Sequence, residues 1–417
     1  MHARSRAKVV SLNLLSKKIA LTSMATGAAL LVAACGSSGT SSSSTPTSSS
    51  SASAPTVSIS ATSFTRDFSA MSQLKPITAK GKGKVGVILP DTVSSARYTE
   101  FDAPYLTKAL LAAGLPASQF SVQNAQGSDA TQLSLAQADM TNGASVLIMD
   151  PLDSGVGASI EKAAAAKGVA VIDYDRLVLG GSRKYYVSFN NVQVGRLIGG
   201  GLVSCVAAWH VAKPNVLVMY GDPTDNNATL FAQGYTAVMA PFFKSGKWVQ
   251  VGKAAGTWDP PTAETEFQGQ YTAHKNINAV LMPNDENAAP VIHYLQTLGV
   301  KAKTFPVTGQ DATLIGLQNI LAGYQCGTAY KPIYLEAQAA AALALYARAG
   351  LTPPAALVNG TTMDTKSHVA VASVLLTPEW VTPSNMKSTV IADNFVPAAQ
   401  LCTGKYKSAC TAAGITG

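Results

Sequence analysis

Charged residues are scarce in this sequence, and its cysteines and histidines lack the spacings that metal sites require. Asp, Glu, Lys and Arg make up 13% of the 417 residues, whereas hydrophobic residues make up 47%. This composition excludes a chain that is disordered throughout and predicts a large buried core. The five histidines are scattered and no two cysteines form a C-x-x-C pair, so we expect no metal site. The sequence also has no G-x-S-x-G nucleophile elbow and no P-loop, and we expect neither a cofactor nor those enzyme activities.

The amino terminus has no acidic residue in its first 35 positions. Basic residues come first, an apolar run from 19 to 34 follows, and the run ends in the sequence LVAAC at Cys35. This arrangement is typical of a signal peptide, and the small residues before Cys35 resemble the lipobox of bacterial lipoproteins. We predict that residues 1–35 are a lipoprotein signal peptide and that lipid on Cys35 anchors the protein to the outer face of the cell membrane. An ordinary secretory signal and an uncleaved anchor helix are the alternatives, although the apolar run is short for a membrane span.

Residues 36–80 are predicted to form a Ser/Thr-rich linker. From residue 36 to about residue 60 the sequence is almost entirely Ser, Thr, Gly, Ala and Pro, which cannot bury enough apolar surface to fold and predicts a flexible tether. Five lysines and arginines lie in the predicted signal peptide, so removal of that peptide lowers the formal charge from +8 by five, to +3. The positive charge therefore gives no reason to expect binding to nucleic acid.

Four cysteines follow Cys35, an even number that fits an oxidising compartment. Cys402 and Cys410 are eight positions apart, so we expect a local disulfide between them. Cys205 and Cys326 would then form the second pair, although the sequence alone does not establish the connectivity.

From residue 82 onward, strand-like and helix-like segments alternate. Short apolar runs typical of buried strands occur at 85–89, 120–122, 146–149, 169–173, 185–188, 216–219, 249–252, 279–282 and 305–308. Continuous apolar strands separated by amphipathic helices indicate parallel sheets covered on both faces. Because the pattern restarts near residue 216, we predict an α/β protein with two doubly wound parallel-sheet lobes.

Polar residues follow these apolar runs, at the carboxyl ends of the predicted strands. They form clusters at Asp150, 174–176, 221–227, 284–285 and 310–311. In open α/β sheets, ligands bind at this edge. Clusters from two lobes could therefore converge on one cleft between the lobes.

Short polar motifs occur in a fixed order along this part of the chain. They are Tyr174-Asp175-Arg176, Ser188-Phe189-Asn190-Asn191, Gly221-Asp222-Pro223-Thr224-Asp225-Asn226-Asn227-Ala228 with Leu230-Phe231, Asn284-Asp285, Gly309-Gln310-Asp311-Ala312 and Tyr330-Lys331-Pro332. Each motif alone is weak, but the ordered set resembles the periplasmic sugar-binding proteins of type I fold, and within them the D-xylose-binding proteins. The resemblance covers most of residues 82–350.

The resemblance implies a monomeric, extracytoplasmic substrate-binding protein of an ABC transporter rather than an enzyme. Such a protein would bind a monosaccharide, D-xylose or a related pentose or hexose, between its lobes and deliver it to a membrane permease. The resemblance further implies an N-terminal lobe of 82–191 plus 332–368 and a C-terminal lobe of 194–329 plus 370–417. The hinge of the type I periplasmic binding protein fold would then consist of three crossovers, near 190–194, 328–332 and 366–372.

The ligand contacts are also implied by the resemblance. Matched position by position, they are Arg97, Tyr98, Asp175, Arg176, Asp225, Asn227, Trp258, Asn284, Asp311 and Lys331. Tyr98 stands where the D-xylose-binding proteins carry a tryptophan, so the preferred sugar stays open. Carboxylates accept hydrogen bonds from sugar hydroxyls, cations donate them and amides do both, while aromatic rings cover the C–H faces. Three carboxylates against three cations would leave the cleft near neutral, which suits an uncharged ligand.

Two other functional classes share parts of this pattern. A sugar-sensing receptor that docks to a chemosensory or signalling membrane partner would use the same fold and site. A glycoside hydrolase uses paired carboxylates, but a cation or amide accompanies each carboxylate here, which should lower its pKa and weaken it as a general acid. Single residues also have purely structural interpretations, since Asp225 and Asn284 could cap helices and Asp175 could pair with Arg176.

Overall fold

The computed structural model of the protein describes residues 57–416. The predicted signal peptide, Cys35 and the part of the predicted linker up to residue 56 lie outside the described residues. Within 57–416, no helix is both long and apolar enough to cross a membrane. Strands and helices alternate along most of this range and build the two α/β lobes of a type I periplasmic binding protein fold.

The strands of the described chain are short and mostly buried. They are β1 (Lys84–Leu89), β2 (Phe120–Asn124), β3 (Ala144–Met149), β4 (Ala170–Tyr174), β5 (Tyr185–Phe189), β6 (Asn215–Val218), β7 (Val249–Gln250), β8 (Ala279–Leu281), β9 (Thr328–Tyr330), β10 (Gly360–Asp364), β11 (Val369–Leu376) and β12 (Glu379–Val381).

The helices connect these strands and cover the sheets. They are α1 (Lys75–Lys80), α2 (Ala103–Ala112), α3 (Asp129–Thr141), α4 (Ser154–Ala166), α5 (Asn191–Ala208), α6 (Asn226–Lys244), α7 (Pro260–Ala273), α8 (Asp285–Thr297), α9 (Leu314–Leu321), α10 (Ile333–Arg348), α11 (Ala398–Leu401) and α12 (Lys407–Ala412). A π-helical turn, Tyr98–Asp102, leads directly into α2.

The first lobe is built on a seven-stranded sheet in the order β10-β11-β5-β4-β3-β1-β2. All neighbouring strands are parallel except β10, which is antiparallel to β11. Side chains alternate between the two faces of a strand, so Val87 and Leu89 join the core under α2 and α10, while Ile88 joins the core under α3 and α4. Helices on both faces bury the central strands β1, β3, β4 and β5, as the continuous apolar runs predicted, whereas the edge strands β2 and β10 are partly exposed.

The second lobe contains a parallel sheet in the order β7-β6-β8. Parallel bridges from Val280 to Val307 and from Gln310 to Ala329 continue it toward β9, which pairs with β12. Helices α5 and α6 pack closely, because a Cβ atom on Gly195 would lie 2.0 Å from the Phe231 carbonyl oxygen. Glycine at this crossing allows the two backbones to touch.

The chain passes between the lobes at three places. It crosses after β5 into α5, after β9 into α10, and after β11 into β12. The prediction of a crossover near 366–372, with 370–417 in the C-terminal lobe, was wrong for this segment. Residues 365–368 are the turn of the β10–β11 hairpin, in which Asp364 accepts hydrogen bonds from the backbone N–H groups of Lys366 and Ser367. Strand β11 then pairs with β5 of the first lobe, so the third crossover lies at 377–378.

The predicted linker ends earlier than residue 80. A 3-10 segment, Ser69–Leu74, and helix α1 occupy its last part. Phe68, Met71, Leu74 and Ile77 are buried in the core of the first lobe. Their spacing of three residues places them on one helical face, so this segment is part of the folded core and not of the flexible tether.

Two disulfides are present in the described residues. Cys205 at the carboxyl end of α5 is bonded to Cys326, just before β9. Cys402 is bonded to Cys410, which joins α11 to α12. The first bond therefore links two elements of the second lobe, and the second bond links two helices of the segment that follows β12.

The burial of the 57–80 segment predicts the effect of Leu74→Ala. Leu74 is fully buried, so we expect the free energy of unfolding to fall by about 2–5 kcal/mol, measured by urea denaturation. Leu111→Ala is the control, because Leu111 is 47% exposed and its replacement should change that free energy by about 0.5 kcal/mol or less. Equal effects of the two substitutions would contradict the assignment of this segment to the core.

Candidate ligand-binding site

The ten predicted contact residues all line one cavity between the lobes. The cavity is narrow, since the volume accessible to the centre of a water-sized sphere is about 20 Å³. Its lining is Ser94, Ser95, Arg97, Tyr98, Asp175, Arg176, Asp225, Asn227, Phe231, Trp258, Asn284, Gln310, Asp311 and Lys331. The cavity lies at the carboxyl ends of the strands of both sheets, where the sequence pattern predicted a cleft.

Arg97 is the centre of a buried ion network on the first-lobe side. Its Nε and Nη2 donate to Asp102 at 2.9 and 2.7 Å, Nη1 donates to Asp175 at 2.9 Å, and Nη2 donates to Glu336 at 2.6 Å. The Tyr174 hydroxyl also donates to Asp102. A guanidinium has five N–H donors, so these four bonds fix Arg97 and leave one Nη1 donor for a ligand.

The carboxylates around Arg97 titrate differently. Burial raises the pKa of Glu336 to about 8, although the charge of Arg97 opposes the rise. Burial also acts to raise the pKa of Asp175, but Arg97, Lys331 and Arg176 outweigh it and the net pKa is lowered. At neutral pH the network therefore keeps Asp175 ionised as an acceptor, while Glu336 retains much of its proton.

Arg176 and Tyr98 form a second polar group on the same side. Arg176 Nη2 donates to the Tyr98 hydroxyl at 3.0 Å, and its Nε lies 3.6 Å from Asp150 and 3.5 Å from Asp225. The guanidinium carbons of Arg97 and Arg176 lie 5.5 and 5.8 Å from the centre of the Tyr98 ring, within cation–π range. Tyr98 is thus held between two cations.

Asp225 and Trp258 form the opposite wall, on the second lobe. One Asp225 oxygen caps α6 by accepting from the Asn227 backbone N–H at 2.8 Å, and the other accepts from Trp258 Nε1 at 3.0 Å. Phe231 meets the Trp258 ring edge-on at 6.4 Å between ring centres. Asp225 is therefore both a helix cap and a cavity residue, so the structural and functional interpretations hold together.

The pKa of Asp225 differs from the sequence-based expectation. Burial raises it, and the nearby charge of Arg176 does not fully compensate. The expectation that a neighbouring cation lowers the pKa of each site carboxylate was therefore wrong for Asp225 and is met at Asp175. Desolvation decides the direction at Asp225 because Arg176 lies 3.5 Å away and is shared with Asp150.

Asn284, Asp311 and Lys331 complete the cavity. Asn284 caps α8 by accepting from the Asn287 N–H at 3.1 Å, while its Nδ2 lies 3.3 Å from the Ser94 carbonyl oxygen. Lys331 Nζ lies 3.1 Å from Asp311 and 3.8 Å from Asp175. Asp175 and Asp311 have positive φ angles of 58° and 87°, which non-glycine residues rarely adopt. Their tertiary contacts thus hold both carboxylates in unusual backbone conformations.

Several cross-lobe hydrogen bonds close the cavity. Asn227 Nδ2 donates to the Asp175 carbonyl oxygen at 2.9 Å. Asn227 Oδ1 accepts from the Tyr186 hydroxyl at 3.1 Å and from Asn191 Nδ2 at 2.8 Å. A side chain of the second lobe is therefore bound by three groups from the first lobe and the hinge.

The predicted ligand set does not include several residues that lie behind and between its members. Ser94, Ser95, Phe231 and Gln310 line the cavity; Phe231 and Gln310 stand in motifs that carried the resemblance. Asp102, Asp150 and Glu336 lie behind the cavity and pair with its arginines. The predicted balance of three carboxylates against three cations therefore describes the lining alone. The one sequence signal for Glu336 is that an acidic residue is unexpected in the otherwise apolar, Ala-rich helix α10.

Comparisons with known proteins agree with this architecture. The family model described as a periplasmic binding protein domain matches residues 85–351. The chain is 36% identical over 283 residues to the D-xylose-binding periplasmic protein of Escherichia coli K12, covering 67% of this chain and 82% of that protein. It is 31% identical over 341 residues to the multiple sugar-binding periplasmic receptor ChvE of Rhizobium radiobacter, covering 78% and 94%.

Solved structures show the same class. An ABC transporter solute-binding protein from Clostridium phytofermentans with bound β-D-glucose superposes with a TM-score of 0.68 at 26% identity, covering 76% of this chain and 99% of that one. A carbohydrate transporter solute-binding protein from Chloroflexus aurantiacus, in complex with D-glucose, gives 0.66 at 26% identity, covering 76% and 97%. Fold and cavity thus define an interlobe solute-binding protein. The chain belongs to the periplasmic sugar-binding proteins of type I fold, with D-xylose-binding proteins among its relatives.

The raised pKa of Glu336 predicts a pH dependence of stability. Between the ordinary value of 4.5 and about 8, the folded protein keeps a proton that the unfolded chain releases, so this group makes stability fall as pH rises. Glu336→Gln removes the titration and retains an acceptor for Arg97. We expect the free energy of unfolding of Glu336→Gln, minus that of the wild type, to increase from pH 5 to pH 9 in urea titrations. A difference that stays constant over this range would contradict the assignment.

Proposed function

We propose that this protein is the solute-binding lipoprotein of an ABC sugar importer, and that it binds a monosaccharide between its lobes and delivers it to the permease. The observation that carries the proposal is the convergence of ten charged, amide and aromatic side chains, from both lobes and the hinge, on one small cavity. The proposal includes export from the cytoplasm, lipid anchoring at Cys35 and action as a monomer.

The chemistry of the lining supports an uncharged polyhydroxylated ligand. Asp175, Asp225 and Asp311 offer acceptors, Arg97 and Lys331 offer donors, and each carboxylate has a cation within 3.5 Å. Charge-assisted hydrogen bonds of this kind bind hydroxyl groups at fixed angles. The Trp258 ring offers an apolar surface for the C–H face of a sugar ring.

We propose D-xylose, or a related pentose or hexose, as the ligand. One relative is named for D-xylose and another for multiple sugars, and two structural neighbours hold glucose. The small cavity favours a single ring. Tyr98, whose hydroxyl is bound to Arg176, would shape the rim of the cavity and so influence which sugar is preferred.

Closure of the lobes would couple binding to transport. Asn227, Asn284 and Lys331 contact groups on the opposite lobe, so these bonds form only when the lobes face each other. A sugar that binds both lobes favours the closed state, which a permease could recognise. A receptor role toward a signalling membrane partner would use the same closed state. Glycoside hydrolysis needs a general acid, and the neighbouring cations disfavour that role at Asp175 because they lower its pKa.

A ligand panel tests the proposed function. We expect at least one aldopentose or aldohexose to raise the melting temperature of residues 36–417, because ligand binding to the folded state stabilises it, and to give saturable heat in calorimetric titration. An amino acid and a polyamine are the control ligands and should have no effect. Failure of every sugar in the panel to bind would sink the proposal.

Substitution of Trp258 tests the proposed stacking surface. We expect Trp258→Ala to weaken binding of the best sugar by about tenfold or more, because it removes both the ring and the hydrogen bond to Asp225. Trp258→Phe keeps a ring and should lose less. Trp209→Ala is the control, since Trp209 lies just beyond the far end of α5 and should leave affinity unchanged. Equal affinities of the Ala variant and the wild type would contradict a stacking role.

A further inference from the structure

Glu286 makes a set of contacts that the predicted ligand set does not include. It is the second residue of α8 in the second lobe, next to the motif Asn284-Asp285. One carboxylate oxygen, Oε1, accepts from the Ser95 hydroxyl at 3.0 Å and from the Ala96 backbone N–H at 3.1 Å, both in the first lobe. The other oxygen, Oε2, accepts from Asn284 Nδ2 at 3.2 Å. Protein donors therefore engage both oxygens.

We propose that Glu286 is an interlobe latch, a positioning residue that binds Ser95 and Ala96 across the closed cleft and so raises sugar affinity without contacting the sugar. This inference rests on the proposed sugar-binding function. In this proposal the Glu286 contacts contribute part of the free energy of lobe closure. They therefore strengthen binding of any sugar that binds the closed state.

The backbone around the latch explains why a carboxylate stands here. Ala96 lies at the start of the turn that leads into Tyr98–Asp102 and α2, where backbone N–H groups have no partner within the helix. Glu286 itself lies in the first turn of α8. The carboxyl group therefore sits between the amino ends of two helical segments, one from each lobe, and it accepts a hydrogen bond from a backbone N–H of the first-lobe segment.

The surroundings of Glu286 make the latch depend on closure. Burial raises the pKa of Glu286 well above its usual value, and the like charges of Asp311 and Asp285 add to the rise. The groups that face it are Ser95 and Ala96 on the first lobe and Asn284, Asp285 and Asp311 on its own lobe. When the lobes separate, the first-lobe donors leave and water replaces them, so the contact contributes only to the closed state.

The latch also joins the cavity to the loop that covers it. Ser95 Oγ lies 3.5 Å from Asp311 Oδ2, and Arg97 follows Ala96 directly. Asn284 is held on both sides, by Glu286 and by the Ser94 carbonyl oxygen. Glu286 therefore binds one proposed sugar contact, Asn284, and the backbone next to another, Arg97.

Kinetic measurement of Glu286→Ala in the full chain tests the proposal. Loss of the hydrogen bonds to Ser95 and Ala96 should weaken affinity for the best sugar of the panel by about 10- to 100-fold. Because the latch forms after encounter, the change should lie in the dissociation rate constant, with association changed by about threefold or less. Glu286→Gln, which keeps one acceptor oxygen, should recover part of the affinity. Glu264→Ala is the matched control, since Glu264 accepts from Gln268 on its own helix α7.

A double-mutant cycle with Ser95→Ala separates the latch from a general structural role. If the two side chains act through each other, their combined effect on sugar affinity is smaller than the sum of the single effects, whereas independent effects add. Additive effects, or an affinity of Glu286→Ala equal to that of Glu264→Ala, would overturn the proposal.

Hydrogen exchange at a saturating concentration of the best sugar tests the latch contact in the closed state. The amide of Ala96 should exchange faster in Glu286→Ala than in the wild type, seen in a peptide covering 91–102, because its acceptor is lost. Unchanged exchange there would also overturn the latch. If the wild type binds no sugar, the proposed function fails; if it binds sugar and Glu286→Ala binds equally well, the latch alone fails, so the two failures are distinguishable.

Discussion

A buried lysine between two carboxylates is the interaction on which the site depends. Lys331 stands where the chain crosses from β9 to α10, and its Nζ reaches Asp311 of the second lobe and Asp175 of the first. Burial alone would lower the pKa of Lys331, but the attraction of these two carboxylates outweighs burial and raises it. A buried charge without partners is strongly destabilising, so this geometry requires the two lobes to face each other. The cavity is the space that this arrangement encloses.

Around Lys331, the same groups serve both the fold and the cavity. Asp225 and Asn284 cap α6 and α8 while they line the cavity. Cap positions recur here because the carboxyl end of a parallel strand leads into the amino end of the next helix. The side chain that ends the strand can therefore bind the helix backbone with one atom and a ligand with another. Positioning of the site thus follows from the βα connections, and the arginine networks behind it only refine the geometry.

Much of this arrangement could be predicted from the sequence. Apolar runs such as 85–89 and 146–149 indicated buried parallel strands, and the polar residues after them marked the edge where the cavity lies. The family resemblance added ten predicted ligand contacts, and all ten line the cavity. Two expectations differ from the structure. The family resemblance implied a crossover near 366–372, where the chain instead closes a hairpin, and apolar residues spaced through 64–77 were assigned to the linker together with the Ser-rich stretch before them.

The sequence by itself determined the alternation of strands and helices, the two lobes and the polar residues at the strand ends, because periodicity and local order are properties of neighbouring residues. Only the tertiary structure decided which groups meet across long separations. Glu336 reaches Arg97 over 239 positions, and Glu286 reaches Ala96 over 190. Such contacts produce no periodic pattern in the sequence, because they depend on how the lobes pack. The direction of each pKa is likewise set by burial and partners, and both arise only when the chain is folded.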